Sequence, residues 1–272
     1  GPTRMEILYV GNGNGDRARV FINDDLTLNG IILAQNQIAN GAVYQNNNST
    51  VEINPTGGDR LNLGHNGGYG YYRLNSGTLR SGRIGLPGGT AANGENNAVF
   101  EIFGTDASAV CTGDWLFWGW SKGNGVANLY GGTLAGPSAG NDTTMAYAAN
   151  NGSLAVLNLL GANALMDAAC NGTSKGFNMA NAAGNLASVI NLNSGTLLAN
   201  RVRAGVTGTP SLFNFNGGTL KANSGTAYAS TFMQGLTAAT VYPGGAVIDT
   251  TNAILTLNQS LVAPTGLGVG GI

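Results

Sequence analysis

The stretch that decides the fold is Ser188-Val-Ile-Asn-Leu-Asn-Ser-Gly-Thr-Leu-Leu198. Its apolar residues alternate with polar ones, which is typical of a short strand, and Ser-Gly then marks a turn before Thr-Leu restarts the chain. The same phrase recurs as Tyr72-Arg-Leu-Asn-Ser-Gly-Thr-Leu79, Ala127-Asn-Leu-Tyr-Gly-Gly-Thr-Leu134 and Phe213-Asn-Phe-Asn-Gly-Gly-Thr-Leu220. Four near-copies indicate a repeat array, in which each unit packs only on its neighbours.

The spacing of the repeat favours β-structure throughout. Successive strand phrases are separated by as few as 21 residues, from Ile53 to Leu74, and by as many as 33, from Leu159 to Leu192. Few segments reach the roughly 10–12 residues of a helix, and Gly and Asn interrupt them. Weaker strands lie between the phrases, at residues 60–63 and 201–203. We therefore predict an all-β parallel β-helix, or β-solenoid, with two or three strands in each of roughly 8–10 coils.

Alternation also predicts which side chains face inward. The apolar residues of each phrase point into the lumen, and the Asn between them points outward. The outward positions are Asn128, Asn158, Asn191 and Asn214. The Leu after each corner, at positions 79, 134, 197 and 220, plugs the core. The variable spacing places insertions at one corner, at residues 135–151 and 166–187.

Composition limits the classes of partner. The 272 residues include 45 Gly, only 9% charged residues and 43% hydrophobic residues, and the net charge is −1. A disordered chain needs more charge and less hydrophobicity, so a folded chain is predicted. Near-neutral charge removes the electrostatic attraction on which nucleic-acid binding depends, so no nucleic acid is expected. No apolar run approaches about 20 residues, so no membrane span is predicted.

The chain divides into one repeat domain and two short ends. Residues 1–16 combine Gly1-Pro2, typical of the remnant of a cleaved tag, with a turn-rich segment. Residues 17–264 form the repeat domain, and the Gly-rich residues 265–272 are expected to continue into a longer chain. The open ends of a solenoid expose unpaired strand edges, so end-to-end or lateral self-association is expected.

The two cysteines, Cys111 and Cys170, each follow an apolar strand and a Gly (Gly104 and Gly161), and those two strands are two units apart. Coils that stack at about 4.8 Å place their Cα atoms near 10 Å, which exceeds the roughly 7 Å that a disulfide tolerates. We therefore predict two unpaired, buried thiols.

At these phrases the chain resembles the autotransporter-associated β-strand repeat proteins, which are Gly- and Asn-rich bacterial surface passengers. The resemblance rests on Leu192-Asn-Ser-Gly-Thr-Leu197, on Phe213-Asn-Phe-Asn-Gly-Gly-Thr-Leu220, and on Gly244-Gly-Ala-Val-Ile-Asp249 followed by Leu257-Asn-Gln-Ser-Leu261. It covers residues 17–264 and implies a right-handed parallel β-helix that is secreted or displayed on the outer cell surface. The family's carboxy-terminal translocator barrel is not expected within these 272 residues.

The segment from Trp115 to Trp120 breaks the repeat and contains all three tryptophans. Alternation places Trp115 and Phe117 on one face, and Leu116 and Trp118 on the other, and continued alternation would place Trp120 with Trp118. Exposed indoles on a flat solenoid face could stack on sugar rings, which makes Trp115, Trp118 and Trp120 candidate ligand-binding residues. The alternative is that these rings fill the lumen or cover a loop.

The densest polar cluster lies between Asp59 and Arg83. It adds His65, Tyr69, Tyr71 and Arg73 as candidate glycan-binding residues. His65 is the only histidine and could act as a base in a polysaccharide lyase. The alternative is a solvated face of the solenoid.

Other chemistry finds less support in the sequence. Glu52 and Glu101 are predicted outward positions about two coils apart, close to the separation of the carboxylates in an inverting glycosidase. No zinc-ligand or calcium-repeat spacing is present, so no metal, cofactor or catalytic residue is assigned. Two functions remain: a structural stalk or adhesin segment, and a module that binds or cleaves a polysaccharide or a cell-surface glycan.

Overall fold

The computed structural model describes residues 5–53, 60–88, 95–120, 122–139, 141–147, 152–169, 172–184 and 186–265. These residues form 25 β-strands and one short 3-10 helix, Ala229–Thr231, so the predicted all-β class is confirmed. The strands are β1 (Met5–Val10), β2 (Arg17–Ile22), β3 (Leu26–Leu33), β4 (Asn40–Gln45), β5 (Thr50–Ile53), β6 (Leu61–Leu63), β7 (Tyr69–Leu74), β8 (Thr78–Leu86), β9 (Asn96–Ile102), β10 (Ser108–Trp118), β11 (Gly123–Leu129), β12 (Thr133–Ala135), β13 (Thr143–Thr144), β14 (Ser153–Leu159), β15 (Leu165–Asp167), β16 (Phe177–Ala180), β17 (Leu186–Leu192), β18 (Thr196–Ala199), β19 (Val202–Ala204), β20 (Ser211–Phe215), β21 (Thr219–Ala222), β22 (Met233–Gln234), β23 (Ala238–Val241), β24 (Val247–Asp249) and β25 (Leu261–Val262).

Each coil contributes to three faces of a parallel β-helix. Face 1 is a ten-stranded sheet in the order β2-β4-β7-β9-β11-β14-β17-β20-β23-β25. The second sheet bends into two faces. Face 2 follows the order β1-β3-β5-β8-β10-β12-β15-β18-β21-β24, and face 3 joins the C-terminal parts of β3, β8 and β10 to β6, β13, β16, β19 and β22. The predicted parallel β-helix is confirmed, and its coils have up to three strands.

The recurring phrase is the corner between faces 1 and 2. Ile190 and Leu192 point into the lumen and are fully buried, as are the four Leu residues that follow the corners at positions 79, 134, 197 and 220. Gly77 has φ +86°, and a Cβ there would lie 2.2 Å from the carbonyl oxygen of Ser49 in the preceding coil. Glycine is therefore required by both the left-handed backbone and the close approach of two coils.

The predicted outward Asn residues form a hydrogen-bonded ladder along face 1. Asn158 donates to Asn128 (2.8 Å), Asn191 to Asn158 (2.7 Å), and Asn214 to Asn191 (2.8 Å). The ladder starts at Glu101, which accepts from Asn128 at 3.2 Å. Asn128, Asn158 and Asn191 each donate to the preceding coil and accept from the next, so Asn serves here because its amide has both a donor and an acceptor.

The predicted corner insertions, residues 135–151 and 166–187, have a different structure. Each contains a strand of face 3, β13 in the first and β16 in the second, and these two strands pair with each other. The expectation of one inserted corner is therefore wrong. A two- or four-residue strand flanked by Gly and Ala carries too little alternation to be recognised in the sequence.

Cys111 is a free, fully buried thiol, as predicted. Cys170 lies outside the described residues. Burial raises the pKa of the Cys111 thiol to about 12, so the thiol is protonated in the native protein at neutral pH.

We expect Cys111 to be unreactive in the native protein because the thiolate is the nucleophile and the side chain is inaccessible. In a Cys170→Ser background, a chromogenic disulfide reagent at pH 8 should label no thiol in the native chain. It should label one after denaturation in guanidinium chloride. Rapid labelling of the native chain would contradict this burial.

Candidate functional site

The candidate site begins at a bulge in β10. Between two positions that pair with β8, Cys111 with Ser81 and Trp115 with Arg83, β10 has three residues where β8 has one. The extra residues carry Asp114 outward. Its carboxylate accepts two hydrogen bonds from the Arg83 guanidinium, from Nε at 2.7 Å and from Nη2 at 2.9 Å. These bonds hold the pKa of Asp114 below its usual range.

From Trp115 to Trp118 the strand after the bulge alternates as predicted. The expected place of Trp120 beside Trp118 is wrong, because the strand ends at Trp118 and Gly119, with φ +68°, turns the chain so that the Trp120 ring lies on the outer side with Phe117. Leu116 and Trp118 point inward and are fully buried, while Trp115 and Phe117 lie on the outer side of face 3. The Trp118 ring packs 6.1 Å from Phe177 in the core. The assignment of Trp118 as a sugar-stacking residue is therefore wrong, since its indole does not reach the surface.

Four aromatic rings form a cluster outside face 3. Tyr147 is at its centre, with ring centroids 4.7 Å from Trp115, 5.3 Å from Phe117 and 5.4 Å from Trp120. Trp120 also meets Phe117 edge-on at 5.1 Å. Tyr147 arrives from the segment after β13, in the next coil. Tyr147 could not be identified from the sequence, because an isolated Tyr beyond a very short strand gives no periodic signal.

These rings and two arginines line a cleft of about 130 Å³, which we call the aromatic–arginine cleft: Arg60, Arg83, Trp115, Phe117, Trp120 and Tyr147. With the Asn62 amide oriented to satisfy its neighbours, Arg60 Nε donates to Asn62 Oδ1 at 3.0 Å. Burial, and then the nearby positive charge of Arg83, lower the pKa of Arg60. The cleft therefore combines aromatic surface with two guanidinium groups, of which Arg83 is bound to Asp114.

The other predicted glycan-binding residues lie elsewhere. Tyr69, Tyr71 and Arg73 belong to β7 on face 1. Tyr71 donates to Glu101 Oε2 at 2.6 Å, and Arg73 lies over the Phe103 ring at 4.1 Å, so both are held by their neighbours. Tyr69 is 41% exposed. It borders an open hollow of about 280 Å³ that is also lined by Arg17, Ala18, Arg19, Asn40, Gly41 and Ala42.

His65 follows β6 and is half-buried. It lines a separate cavity of about 200 Å³ that is shared with Arg60 and Asn62. Burial lowers the pKa of His65, and the charge of Arg60 lowers it further, so the imidazole is neutral at pH 7. His65 does not line the aromatic–arginine cleft.

The polar cluster predicted between residues 59 and 83 is thus divided among the faces. Arg80 lies on face 2, 3.9 Å from Glu52, while Tyr72 is buried in the core and Asp59 lies outside the described residues. The prediction of a single polar site is wrong, because residues 60–83 pass the corners of the coil and therefore lie on three different faces.

The predicted carboxylate pair is also separated by the fold. Glu52 is in β5 on face 2, and Glu101 is in β9 on face 1, so they do not flank a common substrate. Among the described residues, no group of three His, Cys, Asp or Glu side chains could hold a metal ion.

Comparisons with protein-family models, with curated proteins and with solved structures find no match to this chain. In the described part of the chain, no helix is long and apolar enough to cross a membrane. The fold and the residues of the aromatic–arginine cleft are therefore the observations that bear on function.

The cleft depends on Gly85, which pairs with Phe117 across β8 and β10. A Cβ on Gly85 would lie 2.7 Å from Phe117 Cζ and 2.6 Å from the Gly88 Cα. We expect Gly85→Ala to displace the Phe117 ring and to lower the free energy of unfolding by about 1–3 kcal/mol, because the site is overpacked. Denaturant unfolding measures the change.

Gly30→Ala is the matched control, because Gly30 also lies in a face-3 strand and a Cβ there would meet its nearest atoms at 3.6 Å, an ordinary contact. It should change the free energy of unfolding by less than about 1 kcal/mol. Equal effects of the two substitutions would show that the Phe117 ring does not need a glycine at position 85.

Proposed function

We propose that this chain is a structural segment of an extracellular bacterial surface protein, a stalk that holds other parts of the protein at a distance or an adhesin that presents a binding site. The observation that carries the proposal is the continuous ten-rung sheet of face 1 with its Asn ladder. Backbone and side-chain bonds join each coil to the next, so length scales with coil number. The composition and the resemblance to surface passengers support an extracellular role.

A spacer should tolerate a change in coil number. Phe215 and Val241 occupy equivalent positions in successive coils, so residues 216–241 span one coil. Insertion of a second copy after Val241 should give a folded chain that is longer by about 4.8 Å. Small-angle X-ray scattering and circular dichroism measure length and folding. Unfolding of the longer chain would oppose the stalk role.

The second candidate function is glycan binding at the aromatic–arginine cleft. Trp115, Trp120 and Tyr147 are each only partly buried, whereas Trp118 is fully buried in the core. Ring faces next to guanidinium donors suit a ligand with apolar C–H surfaces and polar hydroxyls. Binding is favoured over lyase chemistry because His65 lines a different cavity.

A glycan array tests this second function. Wild-type protein should bind at least one polysaccharide class, and Trp120→Ala and Tyr147→Ala should each weaken that binding about tenfold or more. Phe103→Ala is the control, since Phe103 is 48% exposed and contacts Tyr130 on face 1 at 5.1 Å. If no glycan binds, or if all three variants behave alike, the cleft is not a glycan site.

A further inference from the structure

The charges in the aromatic–arginine cleft do not balance. Arg83 is neutralised by the two hydrogen bonds to Asp114. No carboxylate of the described residues pairs with Arg60: their ion pairs are Arg80–Glu52, Arg83–Asp114, Arg201–Asp142, Arg203–Asp142 and Lys221–Asp249. Within the described part of the cleft, two guanidinium groups and one carboxylate leave one positive charge beside the aromatic rings.

The position of the Arg60 guanidinium is electrostatically unfavourable. Only the Nε of Arg60 has a described partner, the neutral amide of Asn62. The guanidinium is half-buried, and the positive charge of Arg83 acts on it. A half-buried cation with a cationic neighbour is stabilised by an anion that fits between them. An unpaired arginine elsewhere, such as Arg19 on face 1, is instead exposed to water.

We propose that the aromatic–arginine cleft selects carboxylated sugars, such as the uronates of acidic polysaccharides, and that Arg60 binds the carboxylate. The rings of Trp120 and Tyr147 contact the sugar, and the free guanidinium nitrogens of Arg60 donate to its carboxylate oxygens. Asp114 remains bound to Arg83 and holds the Arg83 guanidinium in a fixed orientation. This inference rests on the glycan-binding function proposed above and names the class of glycan.

Arg60 is a specificity residue in this account, so its removal should act on acidic ligands alone. Arg60→Met keeps the aliphatic stem and removes the charge, whereas Arg60→Lys keeps the charge. Because Arg60 pairs with no carboxylate among the residues that the structure describes, both variants should fold, which circular dichroism checks. Arg19→Met removes one exposed positive charge from face 1 and is the matched control for net charge.

The experiment is calorimetric titration of the full chain with oligogalacturonate, oligoglucuronate and oligomannuronate, each beside the same oligomer with its carboxyl groups reduced to alcohols. Wild-type protein should bind at least one acidic oligomer about tenfold more tightly than its reduced form, with a preference that declines in high salt. Arg60→Met should lose the preference, while Arg60→Lys should keep part of it and Arg19→Met all of it.

Three results would overturn the inference, and they are distinguishable. Equal binding of acidic and reduced oligomers would support glycan binding but contradict selection for carboxylated sugars. A preference for the acidic oligomer that survives Arg60→Met would contradict the assignment of Arg60 as the carboxylate-binding residue. Binding of neither form removes the acidic ligand class, and the glycan array then decides whether glycan binding itself fails.

Discussion

Asp142→Ala is expected to be one of the two most destabilising single substitutions in the described chain. Asp142 precedes β13, and its side chain is only 9% exposed. Its carboxylate accepts hydrogen bonds from Arg201 at 3.0 Å and from Arg203 at 3.1 Å. Both arginines are at the start of β19, which is separated from β13 by β16. The Asp142 carboxylate also accepts from the backbone N–H of Gly176 at 2.9 Å. One carboxylate thus joins three consecutive coils on face 3.

Removal of this carboxylate leaves two guanidinium groups partly buried without their acceptor. The side chain of Arg201 is 15% exposed and is further held over the Tyr228 ring at 4.0 Å, so it cannot turn freely to water. Loss of one partner of such a buried ionic group costs about 3–5 kcal/mol. The midpoint of urea unfolding should fall accordingly.

Glu52→Gln is the control for Asp142→Ala. Glu52 forms a single contact with Arg80 at 3.9 Å, and both side chains are more than one-third exposed. Its loss should change the free energy of unfolding by less than about 1 kcal/mol. If Asp142→Ala were no more damaging than Glu52→Gln, face 3 would not be pinned by this carboxylate.

Trp118→Ala is the second large effect, expected at about 3–5 kcal/mol in the free energy of unfolding. The indole is fully buried in the lumen, and truncation leaves a cavity beside Phe177 of β16, which lies two rungs along face 3. Trp120→Ala, which truncates a partly exposed ring, should cost less than about 2 kcal/mol. Guanidinium unfolding compares the two variants directly.

Trp118→Phe separates cavity formation from loss of a hydrogen bond. Trp118 Nε1 is buried and has no hydrogen-bond partner, so its replacement by Phe removes no favourable bond. We expect Trp118→Phe to cost about 1–2 kcal/mol, from lost packing alone. A cost as large as that of Trp118→Ala would mean that the indole nitrogen contributes to stability.

The fold could be predicted because a repeat presents the same evidence many times. The positions of Ile190, Leu192 and Leu197 recur in four phrases, and in each phrase the side chains at these positions point into the lumen. The site could be predicted only in part. Trp115 and Trp120 were identified where the repeat breaks, and alternation correctly separated Trp115 from Trp118.

The rest of the site required the coil geometry. Arg60, Arg83 and Tyr147 come from three different coils and meet only because strands stack in register on face 3. The register depends on the bulge at residues 112–114, and its Gly113 does not single out the bulge in a sequence that contains 45 glycines. The same geometry carried Tyr69, Tyr71 and Arg73 to another face, since a corner lies between them and Arg60.

The central claim is that the repeat is structural and that ligand binding occurs at the aromatic–arginine cleft, where the repeat breaks. Hydroxyl-radical footprinting of the full chain, with and without the glycan that binds best, tests this most directly because aromatic side chains report their own exposure. The account predicts protection of Trp115, Trp120 and Tyr147, with no change at Tyr44 and Tyr69 on face 1. Protection of the face-1 tyrosines, with the cleft unchanged, would contradict it.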